Sequence, residues 1–346
     1  MPELPSSALR LRLDHDALAA NWRTLDTLSG AAAAGAAVKA DAYGVGIAAV
    51  APVLREAGCG TFFVAHWSEV EPLLAHVPAS AIVVLHGPAS TAEAAYGVAT
   101  GARPAINTLA QARRWTEAGG GRCDLMVDTG INRLGLPMAE LGDPAIAALE
   151  IDTLHSHLAC ADEDNPLNAV QLARWQAARG QVRHRRAALA NSAGIVLGPA
   201  YHGDLTRPGL ALYGGIARPE LADKIRQVVR PEAALLQVRD IAAGEGVGYN
   251  ATFLAPAAMR LGVVALGYAD GYLRCWSGKG RLRAGEALLP VVGRVSMDMT
   301  IVDLGPAPHL REGDWLEVDY DLPTAAAATG LSQYELLTLL GTRFAR

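Results

Sequence analysis

The chain is 346 residues long, 51 % hydrophobic, and has a formal net charge of −5 at pH 7. That length suggests one large domain with a smaller companion. The acidic balance argues against a nucleic-acid partner, and without a basic-plus-apolar leader or an uncharged apolar run of about 18 residues the expectation is a cytoplasmic protein, not a membrane one. In chain order, short apolar runs alternate with alanine-rich amphipathic stretches. The runs expected as strands are Ala36–Lys39, Thr61–Ala65, Ala81–Leu85, Arg103–Ile106, Cys123–Val127, Asp152–His157, Ala187–Ala190 and Tyr201–Arg207. Between them, Ile47–Ala57, Thr91–Thr100, Thr108–Ala118 and Asn168–Gln181 read as helices. This alternation predicts a parallel (β/α)8 barrel over residues 8–217. A doubly wound open sheet is the competing architecture, weakened because no Gly-rich dinucleotide fingerprint follows the first strand.

After about residue 217 the texture changes. Ala233–Val238, Leu261–Leu266, Leu288–Val292, Thr300–Leu304 and Trp315–Val318 are short strand-like runs separated by Gly-containing turns. They predict a mostly β C-terminal domain over residues 218–346. Its final helix runs from Ser332 to Leu340 and opens on a capping box with Glu335. The Leu9–Leu13 strand pattern precedes the first helix and can pair with this second domain. Cys59, Cys123, Cys160 and Cys275 are scattered, with no C-x-x-C pair, so neither a disulfide framework nor a metal site is expected.

Chemistry concentrates on Lys39. The chain has 30 Lys+Arg, of which only Lys39, Lys224 and Lys279 are lysines. The latter two sit in polar surroundings that suit a solvated cation. Lys39 instead follows the apolar run Gly35–Val38, with Gly44 and Gly46 expected to break the strand after it. Desolvation disfavours a lysine's charged form and leaves a more nucleophilic amine. A Schiff base with the carbonyl of pyridoxal phosphate is the natural use. The bland alternative is a lysine that snorkels to solvent.

Catalytic residues of a barrel collect at strand C-termini, where Lys39, Leu85, His157 and Arg207 fall. Arg207-Pro208-Gly209-Leu210 closes the eighth run, and Ser192 follows Asn191 at the end of the seventh. The loops after those two strands usually hold phosphate, here through the Ser192 hydroxyl and the N–H groups of Gly209 and Leu210. Arg207 beside them stays charged and has no acceptor. Facing a pyridine nitrogen, it would donate a hydrogen bond and keep that nitrogen unprotonated. Alone, R-P-G reads as a turn with a salt-bridged arginine; its place at this strand end raises it.

Several segments together resemble the alanine racemases: Val38-Lys39-Ala40-Asp41-Ala42-Tyr43-Gly44, Val127–Gly135 (V-D-T-G-I-N-R-L-G), His155–Asp162 (H-S-H-L-A-C-A-D), Asn191-Ser192, Arg207-Pro208-Gly209, Val247-Gly248-Tyr249, Gly267–Gly271 and Arg294–Asp298. The resemblance implies a pyridoxal-phosphate-dependent, two-base racemisation of L- and D-alanine that supplies a peptidoglycan precursor. Lys39 would be the D-alanine base and Tyr249 the L-alanine base. An ordinary tyrosine titrates near 10, so the family places a positive network beside it, His157 bonded to Arg207. By the same resemblance Tyr43, Leu85, His157, Asn191, Ser192, Arg207, Gly209 and Leu210 surround the cofactor. Arg133 and the backbone of Met297 meet the substrate, while Asp162, Tyr268, Arg274 and Arg294 line its corridor. It also implies a homodimer in which each subunit lends Tyr249 and Met297 to its partner's site.

The chain departs from the family pattern at three places. Met126 stands where many members carry a carbamylated lysine that holds the arginine, so Arg133 needs another support: Asn132, Asp128 or a chloride. Val45 replaces the usual histidine after A-Y-G, and Thr342 precedes Arg343 where some members have a phosphate-binding tyrosine. Two rivals stand beside the racemase. One is another pyridoxal phosphate barrel enzyme, a broader racemase or a basic-amino-acid decarboxylase, though decarboxylases lack the V-G-Y-N-A-T segment. The other is a non-catalytic cofactor carrier, against which the long segment after the barrel argues.

Overall fold

A computed structural model describes residues 5–346. The chain divides into two compact units, His15–Arg226 and a second formed by Met1–Asp14 with Gln227–Arg346.

In the first unit the parallel strands Ala36–Ala37, Phe62–Val64, Ile82–Val84, Arg103–Ile106, Cys123–Asp128, Ile151–His155 and Arg186–Ala188 pair in that order. Leu205–Thr206 pairs in parallel with Ala33–Ala34, and Arg207 N donates to Ala190 O at 2.8 Å, closing the ring. Both faces of these short strands are buried, since the consecutive residues Phe62 and Phe63, and Ile82 and Val83, point to opposite sides and none is exposed. Gly35 divides the first strand into two segments. A Cβ there would lie 2.7 Å from the Phe63 ring and 2.9 Å from Thr61 O.

Two strand expectations need correction. Ala36–Lys39 ends at Ala37, because Lys39 already belongs to a turn. Tyr201–Arg207 shrinks to Leu205–Thr206. Pro199–Tyr201 is a 3₁₀ turn, and Gly203, at φ 71°, packs so tightly that a Cβ would lie 2.3 Å from Ala187 O. The helices Ile47–Ala57 and Thr91–Thr100 have the expected bounds. Ser90 caps the latter by accepting from Glu93 N at 3.1 Å.

The second unit is an antiparallel sheet in the order Ala287–Pro290, Arg281–Ala284, Trp315–Val318, Val229–Ile241, Met259–Val264, Thr300–Asp303. Leu9–Leu13 lies antiparallel on Val229–Ile241. That central strand is far longer than the expected Ala233–Val238. Its start is masked in the sequence by Arg230 and Glu232, yet Glu232 is buried and holds both Arg10 and Arg12 from the neighbouring strand. The last helix, Gln333–Thr338, opens on the expected capping box: Ser332 Oγ accepts from Glu335 N at 3.2 Å, and Glu335 Oε2 accepts from Ser332 N at 2.8 Å.

Candidate active site

Lys39 leaves the first barrel strand and the chain immediately turns left-handed. Ala40, Asp41, Ala42 and Tyr43 have φ of 54°, 51°, 54° and 58°. Four successive non-glycine residues in this region are costly, by about 1–2 kcal/mol each, and such strain persists only where its surroundings enforce it. Here Ala42 N donates to Val38 O and Gly44 N to Ala40 O, both at 2.8 Å. Glu69 accepts from Ala40 N, and Asp41 Oδ1 accepts from Ile47 N at 2.8 Å. The expected break at Gly44 therefore comes earlier, and it swings Tyr43 onto Tyr213, ring centroids 4.9 Å apart. Glu69 was not among the expected site residues. Its Oε2 also accepts from Ala65 N at 2.7 Å and His66 N at 2.9 Å, so one carboxylate ties the ends of two strands beside the lysine. Ala40→Gly is expected to relieve exposed left-handed strain and raise stability by about 0.5–1 kcal/mol in thermal unfolding, with reduced activity because Lys39 is held less firmly.

Burial lowers the Lys39 amine below its usual range; Arg133 and Arg207 push the same way, and Glu69 opposes them. Burial, then Arg207, Arg133 and Lys39, push His157 down to about 3, so it is neutral at physiological pH. Lys39, Arg133 and Arg207 thus bring three cations into electrostatic range of one neutral imidazole, a field that favours an anionic ligand. Asp128 Oδ1 accepts from the N–H groups of Gly130, Ile131 and Asn132 at 2.8, 3.0 and 3.2 Å. Asp128 therefore fixes the backbone of the loop before Arg133. The Arg133 guanidinium itself has no ion pair or hydrogen bond among the described residues, and Met126 is buried apolar packing.

The expected phosphate residues converge. Ser192 Oγ accepts from Gly209 N at 2.9 Å and Ala211 N at 3.3 Å, and Asn191 Oδ1 accepts from Gly194 N at 2.8 Å. A Cβ on Gly209 would lie 2.2 Å from Tyr43 Oη, so only glycine lets the tyrosine reach this loop. Leu210 opens the 3₁₀ turn Leu210–Tyr213, and Tyr213 Oη donates to Ala37 O at 2.8 Å. Leu85 ends the neighbouring run, its carbonyl accepting from Asn107 Nδ2 at 3.0 Å.

Arg207 corrects one implied contact. Its ring partner is His155, not His157: Nη1 meets His155 Nδ1 at 3.1 Å and Ala188 O at 2.9 Å, while Nη2 donates to Ser156 O and, at 3.4 Å, Leu189 O. A guanidinium has five N–H groups. These contacts use the four on Nη1 and Nη2, and Nε–H has no partner among the described residues. Among the described residues no carboxylate touches the guanidinium directly, which does not match the salt-bridged turn. Burial pushes Arg207 down to about 10, against the pull of Asp124. His155 was legible only as part of the H-S-H motif; alternation puts it on the same strand face as His157.

A nucleophilic lysine, a hydroxyl-and-amide cradle that a Cβ would fill, and a spare arginine N–H suit the aldehyde, phosphate and ring nitrogen of pyridoxal phosphate. Asp162 is exposed in the loop after the sixth barrel strand.

The remaining expected residues lie in the second unit. Tyr249 is 66 % exposed and Met297 53 %. Tyr249 follows Gly248 at φ 70° and precedes Asn250 and Ala251 at 61° and 45°, a strained loop that presents the phenol outward. Tyr268 N donates to Ser296 O and Ala269 N to Met297 O, both at 3.0 Å. Gly267 permits this close approach, since a Cβ there would lie 2.3 Å from Met297 O. Arg274 sits over the Tyr268 ring at 5.4 Å, and Arg294 is exposed. Arg343 clamps the two loops, with Nε on Asp270 Oδ1 and Nη1 on Asp298 Oδ1, each at 2.7 Å.

Family models described as "Alanine racemase, N-terminal domain" and "Alanine racemase, C-terminal domain" match residues 13–217 and 228–346. The chain is 43 % identical to the alanine racemase of Methylobacterium nodulans, over 100 % of this chain and 97 % of that protein. It is 40 % identical to the biosynthetic alanine racemase of Agrobacterium fabrum, over 98 % and 93 %. Among solved structures, alanine racemase from Bartonella henselae with covalently bound pyridoxal phosphate superposes with a TM-score of 0.89 at 34 % identity, covering 99 % of each chain.

Proposed function

The chain belongs to the alanine racemase family, and from that premise we propose that it interconverts L- and D-alanine with pyridoxal phosphate, using Lys39 and Tyr249 as opposed bases. The observation that carries this reading is Lys39: a partly buried amine with its charge disfavoured, held at a strained strand end and facing the same field as Arg133 and Arg207. Pyridoxal phosphate, when bound, withdraws electrons from the substrate and makes its Cα–H acidic.

The residues of this chain do the rest. Ser192, Gly209, Leu210 and Tyr43 would hold the phosphate; Asn191 caps the turn that presents Ser192, and Leu85 and His157 would flank the ring. Arg207 Nε–H would donate to the ring nitrogen without protonating it. Arg133, whose guanidinium has no partner among the described residues, takes the substrate carboxylate together with the Met297 backbone. Lys39 Nζ removes or returns the Cα proton on one face, and Tyr249 Oη does so on the other. Removal on one face and return on the opposite face inverts the centre, which one base cannot do without moving. Asp162, Tyr268, Arg274 and Arg294 line the approach.

The active unit we propose is a homodimer, with Tyr249 and Met297 entering the partner's site. In its support, Tyr249, Leu254, Met297 and Met299 are exposed apolar or aromatic side chains of the second unit, an arrangement typical of a surface awaiting a partner. We assign the reaction to the cytoplasm, in keeping with four free cysteines. No helix among the described residues is long and apolar enough to cross a membrane.

The test is the product. Purified enzyme offered each L-amino acid in turn is expected to produce the D-enantiomer fastest from alanine, followed by chiral chromatography. Release of carbon dioxide from a basic amino acid, or no turnover of any, would reject the reading.

A further inference from the structure

We propose that Asp124 and His155 are positioning residues for the racemisation: together they fix the Arg207 guanidinium so that its Nε–H faces the cofactor's ring nitrogen. This rests on the reading of Arg207 given above.

Both side chains are entirely buried, at 0 % exposure. They lie on the adjacent strands Cys123–Asp128 and Ile151–His155. His155 Nε2 lies 2.8 Å from Asp124 Oδ2, and its Nδ1 lies 3.1 Å from Arg207 Nη1. The proton's position follows from valence. A guanidinium cannot accept, so Nδ1 must carry the lone pair, and the single ring proton sits on Nε2, where the carboxylate accepts it. Burial lowers His155's affinity for a second proton, which keeps the ring neutral. A neutral imidazole can serve as donor and acceptor at once, and here it links an anion to a cation.

The other end of the carboxylate is also committed. Asp124 Oδ1 has no hydrogen bond and faces Arg103 Nε at 3.4 Å, itself without a hydrogen-bond partner. The order Arg103, Asp124, His155, Arg207 is therefore cation, anion, neutral ring, cation, running between barrel strands. Arg103 also meets Asp152 at 3.8 Å, so within this array the Asp124 charge is shared with Arg207 through the ring. This sharing explains why Arg207 needs no carboxylate of its own: a direct one would offset the charge fully and tie up the donors that set its orientation. With four N–H groups held by His155 and three backbone carbonyls, the plane of the guanidinium is fixed and Nε–H is the donor left over. Loss of the His155 acceptor frees one edge of that plane. Misplacement on the ångström scale at a reacting centre costs up to about a hundredfold in rate.

The test uses holoenzyme loaded with cofactor labelled with nitrogen-15 in the ring. Arg207→Ala defines the resonance of a ring nitrogen without its donor. His155→Leu, which removes the acceptor, is expected to move the resonance most of the way to that value and to lower kcat about tenfold, with KM changed less than about twofold. His155→Gln can donate to Asp124 and accept from Arg207, so it should restore most of both. Should His155→Leu fail to fold with Asp124 left buried and unpaired, Asp124→Asn/His155→Leu removes that charge and carries the same expectation. A folded leucine variant with wild-type resonance and kcat overturns the positioning role while leaving Arg207 at the ring. If Arg207→Ala itself leaves the resonance unmoved, the reading of Arg207 fails, and this inference with it.

Discussion

Lys39→Ala, supplied with pyridoxal phosphate, is expected to lose racemisation by about 10³-fold or more, since in the proposed mechanism one residue is both the point of attachment and one of the two bases. The variant should also lose the yellow colour of the wild type on gel filtration. Borohydride treatment of wild-type enzyme should fix the cofactor on the peptide containing Lys39. The physical reason is the environment: burial and two guanidinium groups depress the Lys39 amine, whereas Lys224 and Lys279 are exposed. Label recovered on either of those two would sink the assignment.

Mixing two dead enzymes should produce a live one. Tyr249→Phe removes the second base and is expected to be nearly as inactive as Lys39→Ala. If Tyr249 serves the partner's site, random subunit exchange makes about half of the dimers mixed. Each mixed dimer puts both defects in one site and leaves the other intact. Activity should then recover to about one quarter of wild type by the same symmetry. The experiment needs exchange to be demonstrated separately, by mass-tagged subunits. With exchange shown and activity still at the parental level, Tyr249 acts within its own chain and the shared-site model fails.

The barrel strands were readable because each is a short apolar run bounded by turn residues, and the helices because amphipathic, alanine-rich stretches fall between them; in the structure Ser90, Thr108 and Ser332 cap three of the helices. What stayed hidden was of a different kind. The left-handed turn after Lys39 is built from Ala, Asp, Ala and Tyr, none of which signals positive φ in a row; it exists because Glu69, from the 3₁₀ turn Trp67–Glu69, holds it. The Asp124–His155 pair was equally invisible. Each residue sits in an apolar strand where only the closed sheet brings it to its partner, and its separation of 31 positions carries no local pattern. Arg207 could be placed at a strand end from spacing, but the neighbour that orients it follows from which way the strand faces. The residues to which we assign the chemistry could be proposed from type and motif, and those that aim them could not.

The second unit draws on both ends of the polypeptide: Leu9–Leu13 is hydrogen-bonded along Val229–Ile241, and Leu11 N reaches Ala345 O at 2.8 Å. Contacts between residues so distant in sequence form late, because a long loop must close before they contribute. During synthesis the segment His15–Arg226 leaves the ribosome whole, with its own core, while Leu9–Leu13 still lacks the strand it pairs with. Until Val229–Ile241 is made, Leu9–Leu13 is therefore an unpaired, half-apolar strand, an edge that invites association with other chains. Arg10 and Arg12 on that strand later meet Glu232, and until then their charge guards the edge.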